Sequence, residues 1–162
     1  MTGRTRERIW SLARALACAA AGALLVGCSS RSEPIEIANA WVAATPPNAT
    51  VAAAYMDIVA HGSDRLLRAS SPLAQQVEIH QTLVEDGVSK MRPISELALA
   101  EGETVKLEPG GTHLMMIGIA SAFATGQTVP LSLEFERAGT IELDVPVMTH
   151  GTAPHGSDHS HH

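Results

Sequence analysis

From Ile35 onward the chain is built of short apolar runs, cut by Gly, Pro, Asn and Asp. Leu131-Ser-Leu-Glu-Phe-Glu136 alternates apolar and polar positions with period two, the mark of a strand with one buried face. The same reading predicts strands near 35–43, 52–60, 74–82, 89–97, 104–107, 113–119, 129–136 and 140–147. Turn residues fall between them: Pro46-Pro47-Asn48, Gly62-Ser63-Asp64, Asp86-Gly87, Pro109-Gly110-Gly111, Gly126 and Ala138-Gly139. Ala98–Glu101 and Ala120–Ala124 are candidates for short helical turns. No internal repeat is visible. The expected class is all-β, a sandwich or barrel of seven to nine short, mostly antiparallel strands.

The region before Ile35 reads differently. Arg4, Arg6, Arg8 and Arg14 stand against one acid, Glu7, and a charge-free run follows from Ala15 to Val26. That run is too short for a membrane-spanning helix, which needs about 20 residues, but it suits the apolar segment of a secretory signal. It ends Leu25-Val26-Gly27-Cys28, which resembles the lipobox of bacterial lipoproteins, whose cysteine carries lipid and becomes the first mature residue. The expected organisation is a signal at 1–27, a polar tether at 28–34, a folded domain at 35–148 and a His-rich tail at 149–162. The expected location is extracytoplasmic, in a periplasm or on the outer face of a membrane, with a lipid anchor at Cys28.

Composition narrows the chemistry. Removing the signal takes four Arg and one Glu from totals of 11 basic and 17 acidic residues, leaving 7 − 16 = −9. With so acidic a balance and only 3% aromatic residues, no nucleic-acid partner is expected. No Gly-x-Ser-x-Gly nucleophile motif, phosphate loop or dinucleotide-binding glycine pattern occurs. Cys18 leaves with the signal and Cys28 is committed to lipid, so no thiol remains, and no enzyme activity is expected. What stands out is eight His and five mature Met. Imidazole with thioether is a ligand set for Cu(I).

Two local patterns place these residues together. In Thr112-His113-Leu114-Met115-Met116-Ile117, His113 and Met115 lie two apart and share one face of a strand, while Leu114 and Met116 face the other way. Met116 therefore reads as core; Met56 after Tyr55 also reads as core, and His61 beside Gly62 as a loop histidine. Around Asp86-Gly87, a two-residue turn makes His80 a diagonal neighbour of Met91. A four-residue loop puts the two directly opposite. Either even count leaves both on one face.

His80, Met91, His113 and Met115, separated by ten, twenty-one and one residues, resemble the signature of the PCu(A)C periplasmic copper chaperones. Ala40-Trp41-Val42, Ala44-Thr-Pro-Pro47, Ala52-Ala-Ala-Tyr-Met56, Val77-Glu-Ile-His80, Met91-Arg-Pro93 and Pro109-Gly-Gly-Thr-His-Leu-Met115 are similar to the same family. Gln81-Thr82 depart from it, since relatives often carry an acid and a Met there. The resemblance covers Ile35 to Val147. It implies a cupredoxin-like fold and one Cu(I) held by the four residues. It also implies delivery of copper toward the CuA centre of cytochrome c oxidase, with subunit II and/or a Sco-type copper protein as partner. A blue-copper electron carrier is not expected, because that site needs a Cys thiolate. Copper buffering without an oxidase partner is the nearest alternative, and a purely structural interaction module the next. The tail, with His150, His155, His159, His161 and His162, is a candidate for a second, looser Cu(II) site, with Met148 near its base.

Overall fold

The computed structural model describes residues 34–85 and 87–149. The signal, Cys28, the tether before Pro34, Asp86 and the five tail histidines lie outside the described residues. Ten strands form one continuous hydrogen-bonded sheet: β1 (Ile35–Ala43), β2 (Val51–Ala60), β3 (Asp64–Ser70), β4 (Gln76–Glu85), β5 (Val88–Ile94), β6 (Leu97–Leu99), β7 (Thr104–Leu107), β8 (Thr112–Ile117), β9 (Thr128–Phe135) and β10 (Gly139–Met148). Their order is β5-β4-β8-β2-β1-β10-β9-β3-β6, with β7 beside β2. A pairing of β3 with β4 through Ala69 and Val77 closes the sheet on itself. Among the described strand pairs only β1 and β10 run parallel, and an isolated parallel bridge joins Ala60 to Glu101.

The enclosed face carries the core. Leu66, Leu114, Met116, Val129, Leu133 and Val145 are shut off from solvent, and Met56 almost so. Each such side chain contributes about 1.5–3 kcal/mol by leaving water. The pattern follows the alternation of the sequence: β9 shows buried and half-buried positions in strict turn from Val129 to Phe135.

The described residues form ten strands where seven to nine are expected, and the expected elements change in three places. The segment Asp64–Ser70, which was expected to contain only the end of a turn, is β3, and a register irregularity between Leu66 and Arg68 breaks the alternation that would have revealed it. The single run expected at 89–97 divides into β5 and β6. Of the expected helical turns, Ala98 and Leu99 belong to β6, and Ala120–Ala124 is irregular. The 120–124 segment is held by its backbone, with Thr45 N–H donating to the Phe123 carbonyl at 3.0 Å and Phe123 N–H to Thr45 Oγ1 at 2.9 Å.

Two departures from regular pairing shape the outer face. Between Ala38 and Trp41 the β1–β2 register slips by one residue, at Asn39, whose φ is 52°. Its side-chain amide donates to Asp57 Oδ2 at 2.7 Å. The slip reverses which residues look inward: Ile37 packs toward the core before it, Ala40 and Val42 after it, and Trp41 is thrown outward opposite Tyr55. Between β7 and β8, Gly110 takes a φ of 82°, a left-handed conformation costly to residues with a Cβ, and turns the chain into the strand that begins at Thr112.

Candidate metal centre on the outer face

β5, β4 and β8 are consecutive in the sheet. The β4–β5 hairpin has the two-residue connection, with Glu85 opposite Val88 and Thr82 opposite Met91. His80 is therefore a diagonal neighbour of Met91 on the same face. On its other side β4 pairs with β8, and His80 stands directly opposite His113. Met115, two residues on, lies opposite Glu78. The four residues singled out from the sequence thus occupy adjacent positions on one face of three neighbouring strands. Leu114 and Met116 point into the core, as expected. Met56 is core as well, and His61 lies in the turn after β2, 3.8 Å from Glu36.

The two imidazoles are buried, at 9% and 6% exposure for His80 and His113, and their ring centres are 5.9 Å apart. Met115 is half-buried, and Met91 is 55% exposed on the hairpin. A row of rings continues from the pair across the sheet. Tyr55 is 6.3 Å from His113 between ring centres and 4.6 Å from Trp41. Burial pushes the Tyr55 phenol above its ordinary value. Met148 packs against this Trp41–Ala43–Tyr55 cluster.

Each imidazole has one nitrogen engaged by an oxygen that can only accept. His113 Nδ1–H donates to the Gly111 carbonyl at 3.1 Å, which leaves the lone pair on Nε2. His80 Nε2–H donates to Glu78 Oε2 at 2.6 Å, which leaves it on Nδ1. That Nδ1 is buried and has no hydrogen-bond partner. An unsatisfied buried acceptor is costly in a folded protein and calls for a ligand or a role. Among the described residues, no three His, Cys, Asp or Glu side chains converge as a hard metal cage. Two imidazole lone pairs beside two neutral thioethers fit a soft, monovalent ion such as Cu(I) far better than Zn(II), which favours thiolate, imidazole and carboxylate.

Sequence reasoning did not single out Glu78, Gln76, Tyr55 or Trp41 as parts of this site. The period-two spacing of Gln76, Glu78 and His80 carried a signal for the first two, since it puts all three on one face of a strand.

A family model described as "Putative lipoprotein LpqE-like" matches residues 35–147, nearly the whole described fold. The chain belongs to the LpqE-like family. A relative named "Putative lipoprotein Lxx21020", from Leifsonia xyli subsp. xyli, is 28% identical over 118 residues, covering 72% of this chain and 71% of the relative. Among solved structures, the copper-bound PCuAC domain from PmoF2 is similar with a TM-score of 0.61 at 25% identity, over 72% of this chain and 93% of that one. The solution structure of CuI-DR1885 from Deinococcus radiodurans gives a TM-score of 0.61 at 26% identity, over 75% and 83%. The PCu(A)C resemblance read from the sequence therefore holds for the LpqE-like chain, and its fold is the cupredoxin-like sandwich of those domains.

Proposed function

We propose that the protein is a lipid-anchored, extracytoplasmic copper chaperone that carries one Cu(I) on His80, Met91, His113 and Met115. The observation that carries this reading is the pair of buried imidazoles facing each other across β4 and β8, each with one lone pair directed by a protein acceptor, on the same face as two thioethers. Cu(I) is a d¹⁰ ion with little geometric demand, so a shallow site can hold it. Neutral sulfurs bind it without adding charge, which suits release to a second protein. The structures named above as copper-bound and CuI-bound support the choice of metal, and the family description supports the anchor at Cys28.

We further propose that the copper is destined for the CuA centre of cytochrome c oxidase, reached through subunit II directly or through a Sco-type copper protein. The tail histidines His150, His155, His159, His161 and His162 are proposed as a looser Cu(II) site.

Anaerobic titration of Cu(I) against a competing chelator tests the first claim. Tight 1:1 binding is expected, and its persistence at full strength in a Met91→Leu/Met115→Leu double variant would reject the assignment. Copper-loaded protein mixed with apo subunit II should produce the purple dinuclear centre. If copper stays put in that mixture and with a Sco-type acceptor, a storage role replaces the chaperone role. Deleting residues 149–162 should leave Cu(I) binding intact and lower Cu(II) uptake.

A further inference from the structure

On β4, three polar side chains at alternate positions form a hydrogen-bonded chain. Gln76 Nε2 donates to Glu78 Oε1 at 2.6 Å, and His80 Nε2–H donates to Glu78 Oε2 at 2.6 Å. Both oxygens of the carboxylate are thus engaged, one by a residue that fixes it and one by the ring that it fixes. Glu78 also lies opposite Met115 across the β4–β8 ladder, so it sits within the group of donors. The corresponding device for His113 is the backbone carbonyl of Gly111, just before β8, and it holds the opposite ring nitrogen.

We infer that Glu78, itself held by Gln76, is a positioning residue that makes His80 bind the metal through Nδ1, while Gly111 makes His113 bind through Nε2. The inference rests on the copper reading above and adds the coordination mode of each ring. Its physical basis is that a neutral imidazole carries one proton. A carboxylate at 2.6 Å from Nε2 places that proton on Nε2, so the one lone pair left is the buried, partnerless Nδ1. Such outer partners fix ring tautomer and orientation, and their loss costs about 10- to 100-fold in metal affinity. The two oxygens of Glu78 are used within the protein, so the carboxylate adds no charge to the ligand set itself.

Long-range ¹H–¹⁵N spectra of the full chain in detergent, with His80 assigned through a His80→Gln variant, test this directly. In the metal-free protein His80 should be protonated at Nε2 and His113 at Nδ1. On adding Cu(I) under anaerobic conditions, the His80 Nδ1 and His113 Nε2 resonances should move while the protons on the other nitrogens remain. Glu78→Ala should mix the His80 tautomers and lower Cu(I) affinity about 10- to 100-fold. Glu78→Gln, whose amide oxygen can still accept from Nε2–H, should recover much of both. Loss of the His80 Nε2 proton on Cu(I) binding overturns the coordination mode and leaves the copper site standing. So does an Ala variant with unchanged tautomer and affinity. If neither ring responds to Cu(I), the copper reading fails and this inference with it.

Discussion

Thr82 and His113 share one acceptor, the carbonyl oxygen of Gly111. The Thr82 backbone N–H reaches it at 3.3 Å and His113 Nδ1–H at 3.1 Å. Thr82 is the residue opposite Met91, so a single peptide group ties the hairpin that carries one thioether to the ring of one imidazole. The turn that sets this peptide depends on Gly110 at a φ of 82°. Gly110→Ala is expected to cost about 1–2 kcal/mol of stability, because a Cβ resists left-handed backbone. It should also weaken Cu(I) binding, read by chelator competition at a denaturant-free temperature well below melting. An unchanged affinity would show that the turn and the site are independent.

Met91 and Met115 should separate binding from stability. Met91 is largely exposed on the hairpin, so Met91→Leu is expected to change stability by no more than about 0.5 kcal/mol. Met115 is half-buried, and its replacement by Leu conserves volume and should cost less than about 1.5 kcal/mol. Each change should nevertheless lower Cu(I) affinity more than about tenfold, the scale on which even outer partners of a metal site act. Urea melts beside metal titrations check both halves.

Met116 is the internal control for that pair. It adjoins Met115 but is fully buried on the core face. Met116→Ala should cost about 2–5 kcal/mol through lost burial and the cavity left behind. Met116→Leu should leave Cu(I) affinity near that of the parent chain. A large loss of affinity in the Leu variant would mean that the two faces of β8 have been assigned the wrong way round.

Asp64 predicts an acid-sensitive tie between the start of β3 and the turn from β9 to β10. Burial raises its carboxyl, but three backbone N–H groups outweigh that and hold it below the usual carboxylate value: Arg65 at 2.7 Å, Arg137 at 2.9 Å and Ala138 at 2.9 Å. A group depressed in the folded state stabilises above its unfolded value, about 3.9, and loses that contribution as pH falls through the lower folded value. Asp64→Asn should lower stability at neutral pH by about 1 kcal/mol or more. It should also flatten the fall in stability below about pH 4. Melting curves at several pH values decide it, and an unchanged acid limb would remove Asp64 as the cause.

Much of this arrangement was readable from the residues, because alternation with period two assigns faces without knowledge of the fold. That was enough to separate Met115 from Met116 and to bring His80 and Met91 to one side under either even loop length. The β4–β8 pairing that sets His80 against His113 joins residues 113 − 80 = 33 positions apart, and no local pattern encodes it. β3 was missed because its register slips between Leu66 and Arg68 and two arginines sit on its outer face. Arg65 there is clamped by Glu96 and Glu136, a network spread over three segments of the chain. Asn39 hides its effect similarly: one extra residue in β1 decides that Trp41 joins Tyr55 outside the core.

Three of the four donors stand on strands flanked by hydrogen-bonded neighbours on both sides. Met91 does not, since among the described pairings β5 joins the sheet through β4 alone. In ligand exchange at a crowded ion, the arm with the loosest mounting yields first to an incoming donor. On the proposed copper reading, the sulfur on this rim is where a recipient protein would gain its first foothold, with the histidine pair letting go last.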